Sequence, residues 1–269
     1  MALTQIIVLA VIQGLTEFLP VSSSGHLALV PMLTGWPDQG LTMDVAVHVG
    51  TMFAVILYFW RDLWAMLTGL ARAARGKRDP MAKLAVQIAV ATIPVLGAAY
   101  LFEKYVSDAV RAMKVIGWAT LGYGLLLYAV DRMCMTVKKV EHAGYVDTLL
   151  IGMAQILALV PGTSRSGITM TVARLLGYER PEAARLSFLL SIPTIAAGGL
   201  WVVLQLMEAQ DTTLTNDVLI GMALSFATGF LAIAFMMAWL RRSTFTPFVI
   251  YRVILGGVVL AIAYGYVEL

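Results

Sequence analysis

Two short segments of this 269-residue chain concentrate the side chains that could do chemistry. The first reads Gln13-Gly14-Leu15-Thr16-Glu17-Phe18-Leu19-Pro20-Val21-Ser22-Ser23-Ser24-Gly25-His26. Gln13 and Glu17 stand four apart and share one face of a helix. Glu17 is the one acid among the first 37 residues and lies within an apolar stretch. A charge at bilayer depth costs about 2.5–3.5 kcal/mol on insertion scales, so such a residue faces a cavity or a partner. Pro20 must end that helix, and Ser22, Ser23 and Ser24 then bring hydroxyls beside Gly25. If a new helix starts here, its free backbone N–H groups form an anion site. One serine, Ser22 or Ser23, is needed as its N-cap. An imidazole titrates near neutral pH, so His26 could serve as general acid or nucleophile.

The second segment reads Pro161-Gly162-Thr163-Ser164-Arg165-Ser166-Gly167-Ile168-Thr169. Arg165 is the one Lys or Arg between Lys139 and Arg174. Its planar fork suits phosphate oxygens, and Ser164, Ser166 and Thr169 add hydroxyls around it. A bare ion pair with Glu17 would need fewer hydroxyls. Carboxylate, hydroxyls, imidazole and guanidinium in one pocket fit phosphoryl transfer, where positioning and charge neutralisation dominate. Asp44 and His48, four apart, could border the same pocket. Tyr251-Arg252 is either part of it, or Arg252 snorkels to the headgroups. His142 sits in a charged loop and reads as solvated. Walker, dinucleotide-binding and HExxH patterns are absent.

The elements that must carry these residues are membrane helices. The chain is 60% hydrophobic and only 13% charged, about half the usual share for a soluble domain. Six stretches are apolar and long enough to span: about 43–60, 84–102, 114–131, 186–206, 217–240 and 247–267. Residues 3–19 and 148–160 are apolar too, but each runs into a Pro, Gly and Ser cluster. Each is expected to be a re-entrant helical hairpin broken at membrane depth and buried in protein or lining a wet cavity. Arg61, Arg72, Arg75, Lys77, Arg78 and Lys83 make the first long loop cytoplasmic. Arg132, Lys138 and Lys139 mark a second such loop, and Arg241 with Arg242 a third. The 207–217 loop holds Glu208, Asp211 and Asp217 and should face outward. The 103–113 loop is mixed, with Lys104 and Arg111 against Glu103 and Asp108. Alternation works when both hairpins return to their starting side, which puts both termini outside.

An offset of 142 maps Gln13 onto Gln155, Ser22 onto Ser164, Ser24 onto Ser166 and Gly25 onto Gly167. Each half then holds one hairpin and three spans. Three is odd, so the halves, about 1–135 and 143–269, form an inverted-topology repeat within a single membrane domain, 1–269. Such repeats place a site where the breaks meet. The expectation is therefore an all-α polytopic membrane protein with six transmembrane helices and two re-entrant hairpins. Cys134 is the only cysteine, which excludes an internal disulfide or a Cys-based metal site. Met1–Gln5 lacks a basic n-region, so no signal peptide is expected. The net charge of +3 reports loop topology, not nucleic-acid binding.

At the two polar segments the chain resembles the bacterial undecaprenyl-diphosphate phosphatase family of the bacitracin-resistance type. Gln13–His26, Pro161–Thr169, Leu186-Ser-Phe-Leu-Leu-Ser-Ile-Pro193 and Tyr251-Arg252 carry the resemblance. It implies hydrolysis of undecaprenyl diphosphate in the bacterial inner membrane, in a pocket open to the outer, periplasmic face. It implies stimulation by a divalent cation, Mg2+ or Ca2+, held at Glu17. The family admits Glu or Gln at the position of Gln13, so a second carboxylate is missing here. The serine nucleophile suggested for the family falls on Ser23, with His26 as acid or base and Arg165 on phosphate. Gln13, Ser22, Ser24, Ser164, Ser166, Thr169, His48, Tyr251 and Arg252 are the expected substrate contacts. The expected partners are the polyprenyl diphosphate lipid and the bilayer, with a homodimer compatible and nucleic acid not. A transporter or flippase of a phosphorylated lipid is the alternative, because broken helices in inverted repeats are a transporter habit.

Overall fold

The computed structural model describes residues 1–105, 110, 112–134, 137–208 and 216–267. Asp108, Arg111 and Asp211 of the two loops weighed above lie outside the described residues. The described secondary structure is helical. Six helices are long and apolar enough to cross a membrane. They are α3 (Gly40–Tyr58), α5 (Pro80–Tyr105), α6 (Met113–Met133), α9 (Arg180–Glu208), α10 (Asn216–Leu240) and α11 (Thr246–Ala263). They match the six expected spans, with most ends displaced by a few residues. The largest shift is at α9, which begins at Arg180 because Glu182, Ala183 and Ala184 suit the first turns of a helix.

The remaining helices are shorter. α1 (Leu3–Phe18) has 16 residues, about 24 Å, and α2 (Ser23–Thr34) has 12, about 18 Å. Neither reaches across a hydrocarbon core of about 30 Å. Pro20 sets the end of α1: the residue before a proline is pushed out of the helical region, and Leu19 is extended. α7 (Tyr145–Ala154) tightens into a 3-10 turn at Gln155–Leu159 and stops before Pro161. α8 (Arg165–Leu175) follows the second break.

The first half of the expected cytoplasmic loop, 61–83, is a helix, α4 (Trp60–Ala73). Trp60, Trp64 and Leu67 are exposed along one stripe while Met66 and Gly69 pack inward. The pattern is amphipathic and too polar to read as a span, which is why a search for long apolar runs passes over it.

α10 packs along both α1 and α3, and α11 along α6. Without a hydrophobic drive between helices in lipid, small residues set how closely they approach. A Cβ at Gly14 of α1 would overlap Thr228 of α10, and one at Gly50 of α3 would overlap Met222 and Ser225. Phe18 closes the bottom of the first break on Phe188 of α9, edge to face at 5.3 Å.

The two ends of the bundle differ in charge. At one end the Met1 amine meets Asp217 Oδ2 at 2.8 Å, and Gln5 Nε2 donates to Pro37 O at 2.9 Å. At the other, Asp131 accepts from Arg174 Nε at 3.0 Å, Arg180 Nε at 2.8 Å and the Phe245 amide at 3.4 Å. Arg185 of α9 pairs with Asp62 of α4 at the same end. The three basic loops thus share one end of the molecule.

Candidate active site

Both breaks use the same local device. Ser22 (φ 76°) and Ser164 (φ 73°) are the two non-glycine residues with positive φ among those described. Such a backbone costs about 1–3 kcal/mol and persists only when its surroundings hold it. Each serine is the N-cap of the helix that restarts the chain. Ser22 Oγ accepts from the Gly25 amide at 3.3 Å, and Ser164 Oγ from the Gly167 amide at 3.1 Å. The breaks also grip each other. The Gly162 amide donates to Ser22 Oγ at 3.1 Å, and Ser166 Oγ donates to Leu19 O at 2.9 Å.

Turning the chain at these serines brings Glu17 of α1 against Arg165 at the start of α8. Arg165 Nη2 donates to Glu17 Oε1 at 2.9 Å. The other carboxylate oxygen, Oε2, accepts from Ser23 Oγ at 2.5 Å and from Gln13 Nε2 at 3.0 Å. His48 Nε2 stands 3.6 Å from Oε2. His48 Nδ1 faces the Asp44 carbonyl at 2.7 Å and must donate to it, since a carbonyl only accepts. The His48–Glu17 pair therefore attracts only when Nε2 also carries a proton. A cavity of 740 Å³ opens over this cluster, with Glu17, Ser23, Ser24, Asp44, His48, Ser164 and Arg165 at its polar end. Its other walls come mainly from α3, α5 and α9 and are mostly apolar, including Val45, Val49, Leu96, Ile195 and Trp201. One polar end and one long apolar wall suit a lipid with a charged head.

The other expected residues lie around the cavity rather than on it. His26 turns to the far side of α2: Nδ1 donates to Ser22 O at 2.7 Å, so Nε2 accepts from Tyr251 Oη at 2.5 Å. Thr169 is buried and bonds Arg165 O at 2.8 Å and Ser187 Oγ at 2.7 Å. Ser22 is 2% exposed and serves as a cap. Arg252 does not snorkel. It is fully buried, because five backbone carbonyls of α6 and the two breaks draw its guanidinium inward. Ser187, behind Arg165, was missed as a separate residue, although Ser187 and Ser191 at helical spacing in an apolar run were a usable signal.

Six spanning helices around a buried carboxylate–guanidinium pair, opened by two hydroxyl-bearing helix breaks, define a polytopic membrane protein with a charged, hydroxyl-rich centre. This chain belongs to the family described as bacitracin resistance protein BacA, whose model matches residues 6–258. It is 54% identical to undecaprenyl-diphosphatase 1 of Rhodospirillum rubrum, over 98% of this chain and 96% of that protein. It is 51% identical to the undecaprenyl-diphosphatase of Roseobacter denitrificans and 52% to that of Ruegeria pomeroyi. Each of those two alignments covers 98% of this chain and 100% of the relative.

Proposed function

We propose that this enzyme hydrolyses undecaprenyl diphosphate to undecaprenyl phosphate and inorganic phosphate. That reaction recycles the carrier lipid of cell-wall synthesis and gives bacitracin resistance. The observation that carries the reading at this site is the Ser23 hydroxyl held on Glu17 while Arg165 holds the other carboxylate oxygen. A bound diphosphate would draw the Arg165 fork onto its terminal phosphate. Ser23 Oγ then attacks that phosphorus and its proton passes to Glu17 Oε2. The bond to the bridging oxygen breaks, and undecaprenyl phosphate leaves with that proton from Glu17, which restores the carboxylate. Water next attacks the phosphoserine; one of its protons goes to Ser23 Oγ by way of Glu17 and inorganic phosphate departs. Arg165 and the first-turn amides of α2 and α8 balance the charge that builds on phosphate oxygens. Ser24 and Ser164 border the same space. His26 and Tyr251 hold the face of α2 turned away from it.

A divalent cation, Mg2+ or Ca2+, belongs to the same reading. The donor set suits a hard cation that arrives with the diphosphate: Glu17 supplies a carboxylate, and Gln13 Oε1 is buried without a hydrogen-bond partner. No group of three His, Cys, Asp or Glu converges among the described residues, so substrate oxygens would complete the shell. Bound there, the ion would neutralise diphosphate charge.

We place the protein in the bacterial inner membrane with α1–α2 and α7–α8 as re-entrant hairpins of two inverted halves. The cavity then opens to the outer face. Its rim includes Leu41 and Asp44 at the start of α3, away from the basic loops.

Phosphate release by purified protein in detergent tests the reading, since a transporter needs a sealed compartment and would release none. No release from undecaprenyl or shorter prenyl diphosphates, with Mg2+ or Ca2+ supplied, would overturn it.

A further inference from the structure

Arg252 of α11 is a cation at 0% exposure whose donors all go to backbone carbonyls. Nε bonds Thr120 O at 2.9 Å, and Nη2 reaches Ala119 O at 3.3 Å, which fixes the side chain to α6. Nη1 donates to Pro20 O at 3.2 Å, in the first break. Nη2 donates to Gly162 O at 2.8 Å and Thr163 O at 3.0 Å, in the second. Pro20 and Gly162 are separated by the same offset of 142 that relates the two segments, and each lies two residues before a positive-φ serine. One guanidinium therefore holds corresponding carbonyls of both breaks. A Cβ at Gly167 would come within 3.0 Å of Nη1, which puts the guanidinium directly beneath the first turn of α8.

We propose that Arg252 is a positioning residue that locks the two breaks together and thereby sets the Glu17–Ser23–Arg165 geometry. A strained backbone needs surroundings that over-determine it, and Arg252 supplies a bond just upstream of each strained serine. A buried cation without a carboxylate is costly, and here carbonyl dipoles from three separate segments offset the cost. Its rigid fork is what allows one side chain to address α6 and both breaks at once. Lysine, a point charge on a flexible stem, cannot span them. The kinetic consequence rests on the phosphatase reading; the structural consequence does not.

The test compares the unchanged protein with Arg252→Lys and Arg252→Met in detergent, by phosphate release and by amide hydrogen exchange. With Arg252→Lys, kcat should fall by about 10- to 100-fold, the size of effect that a small misplacement causes, while KM stays within about twofold. Exchange should rise together in 19–26 and 160–167, more in the Met variant than in the Lys variant. A raised KM with unchanged kcat would make Arg252 a substrate contact and overturn the proposal. So would faster exchange in only one break or in neither, or failure of both variants to fold. If the unchanged protein releases no phosphate, the phosphatase reading falls while the exchange comparison still decides the lock.

Discussion

The breaks at residues 19–26 and 160–167 share a frame and divide the chemistry. Ser22 and Ser164 share a positive φ and cap corresponding glycines three residues on, Gly25 and Gly167. One residue later the two diverge: Ser23 carries a hydroxyl to Glu17, and Arg165 carries a guanidinium to the same carboxylate. Glu17 itself corresponds to Leu159 and His26 to Ile168. The matched serines Ser22 and Ser164 hold backbone, and the divergent pair one residue on meets the carboxylate. At the capping position equivalence marks scaffold, and one residue later divergence marks function.

The sharpest way to break this comparison is at the divergent position. Arg165→Ala should lower turnover by at least about 10²–10³-fold, the usual loss when a donor to developing charge is removed. Phosphate release close to that of the unchanged protein would take Arg165 out of the reaction. Next comes the contrast between neighbours. Ser23→Ala should cost turnover with an almost unchanged unfolding temperature. Ser22→Ala should do the reverse, losing about 1–2 kcal/mol of capping and more modest activity. Equal mild losses in both would favour structural roles for both serines.

His26→Ala should have a smaller effect, because both ring nitrogens are already engaged by Ser22 O and Tyr251. Combined with Tyr251→Phe the losses should be non-additive, as for two ends of one hydrogen bond. Additive losses would place His26 at a separate task. The smallest effect lies outside both breaks. The Arg72 guanidinium beside Asp79, together with the Met81 and Ala82 amides, holds the Asp79 carboxyl below its ordinary 3.8. A lowered carboxylate stabilises the fold above its ordinary value, and that stabilisation is lost as pH falls through the lowered one. Asp79→Asn should therefore unfold slightly earlier at neutral pH and converge with the unchanged protein in strong acid. A constant gap across pH would assign the difference to capping alone.

Legibility differed among the elements. The six spans were readable because bilayer thickness demands about 20 apolar residues, and that signal is local. Both breaks were readable because proline and glycine punctuate the chain whatever surrounds them. α4 was not, since its apolar stripe is shorter and mixed with Arg61, Asp62 and Arg72. The turning of His26 toward Tyr251 and the burial of Arg252 were not readable either. Each depends on which face of a helix meets which neighbour, and an apolar helix presents several faces that look alike in sequence.

The sequence alone therefore determined a membrane-spanning helical protein with a carboxylate, a serine run and a guanidinium at two matched interruptions. Those features follow from residue type and spacing, through the cost of burying charge and the backbone demands of proline and glycine. Tertiary structure decided which groups share the cavity and which only hold it open. Contacts such as Arg165 on Glu17, 148 positions apart, or Arg252 on Pro20, 232 apart, exist only once the helices have packed. Packing of α1, α3 and α10 turns His48 toward Glu17, and the restart of the chain at Ser22 turns Ser23 onto the same carboxylate and His26 away from it.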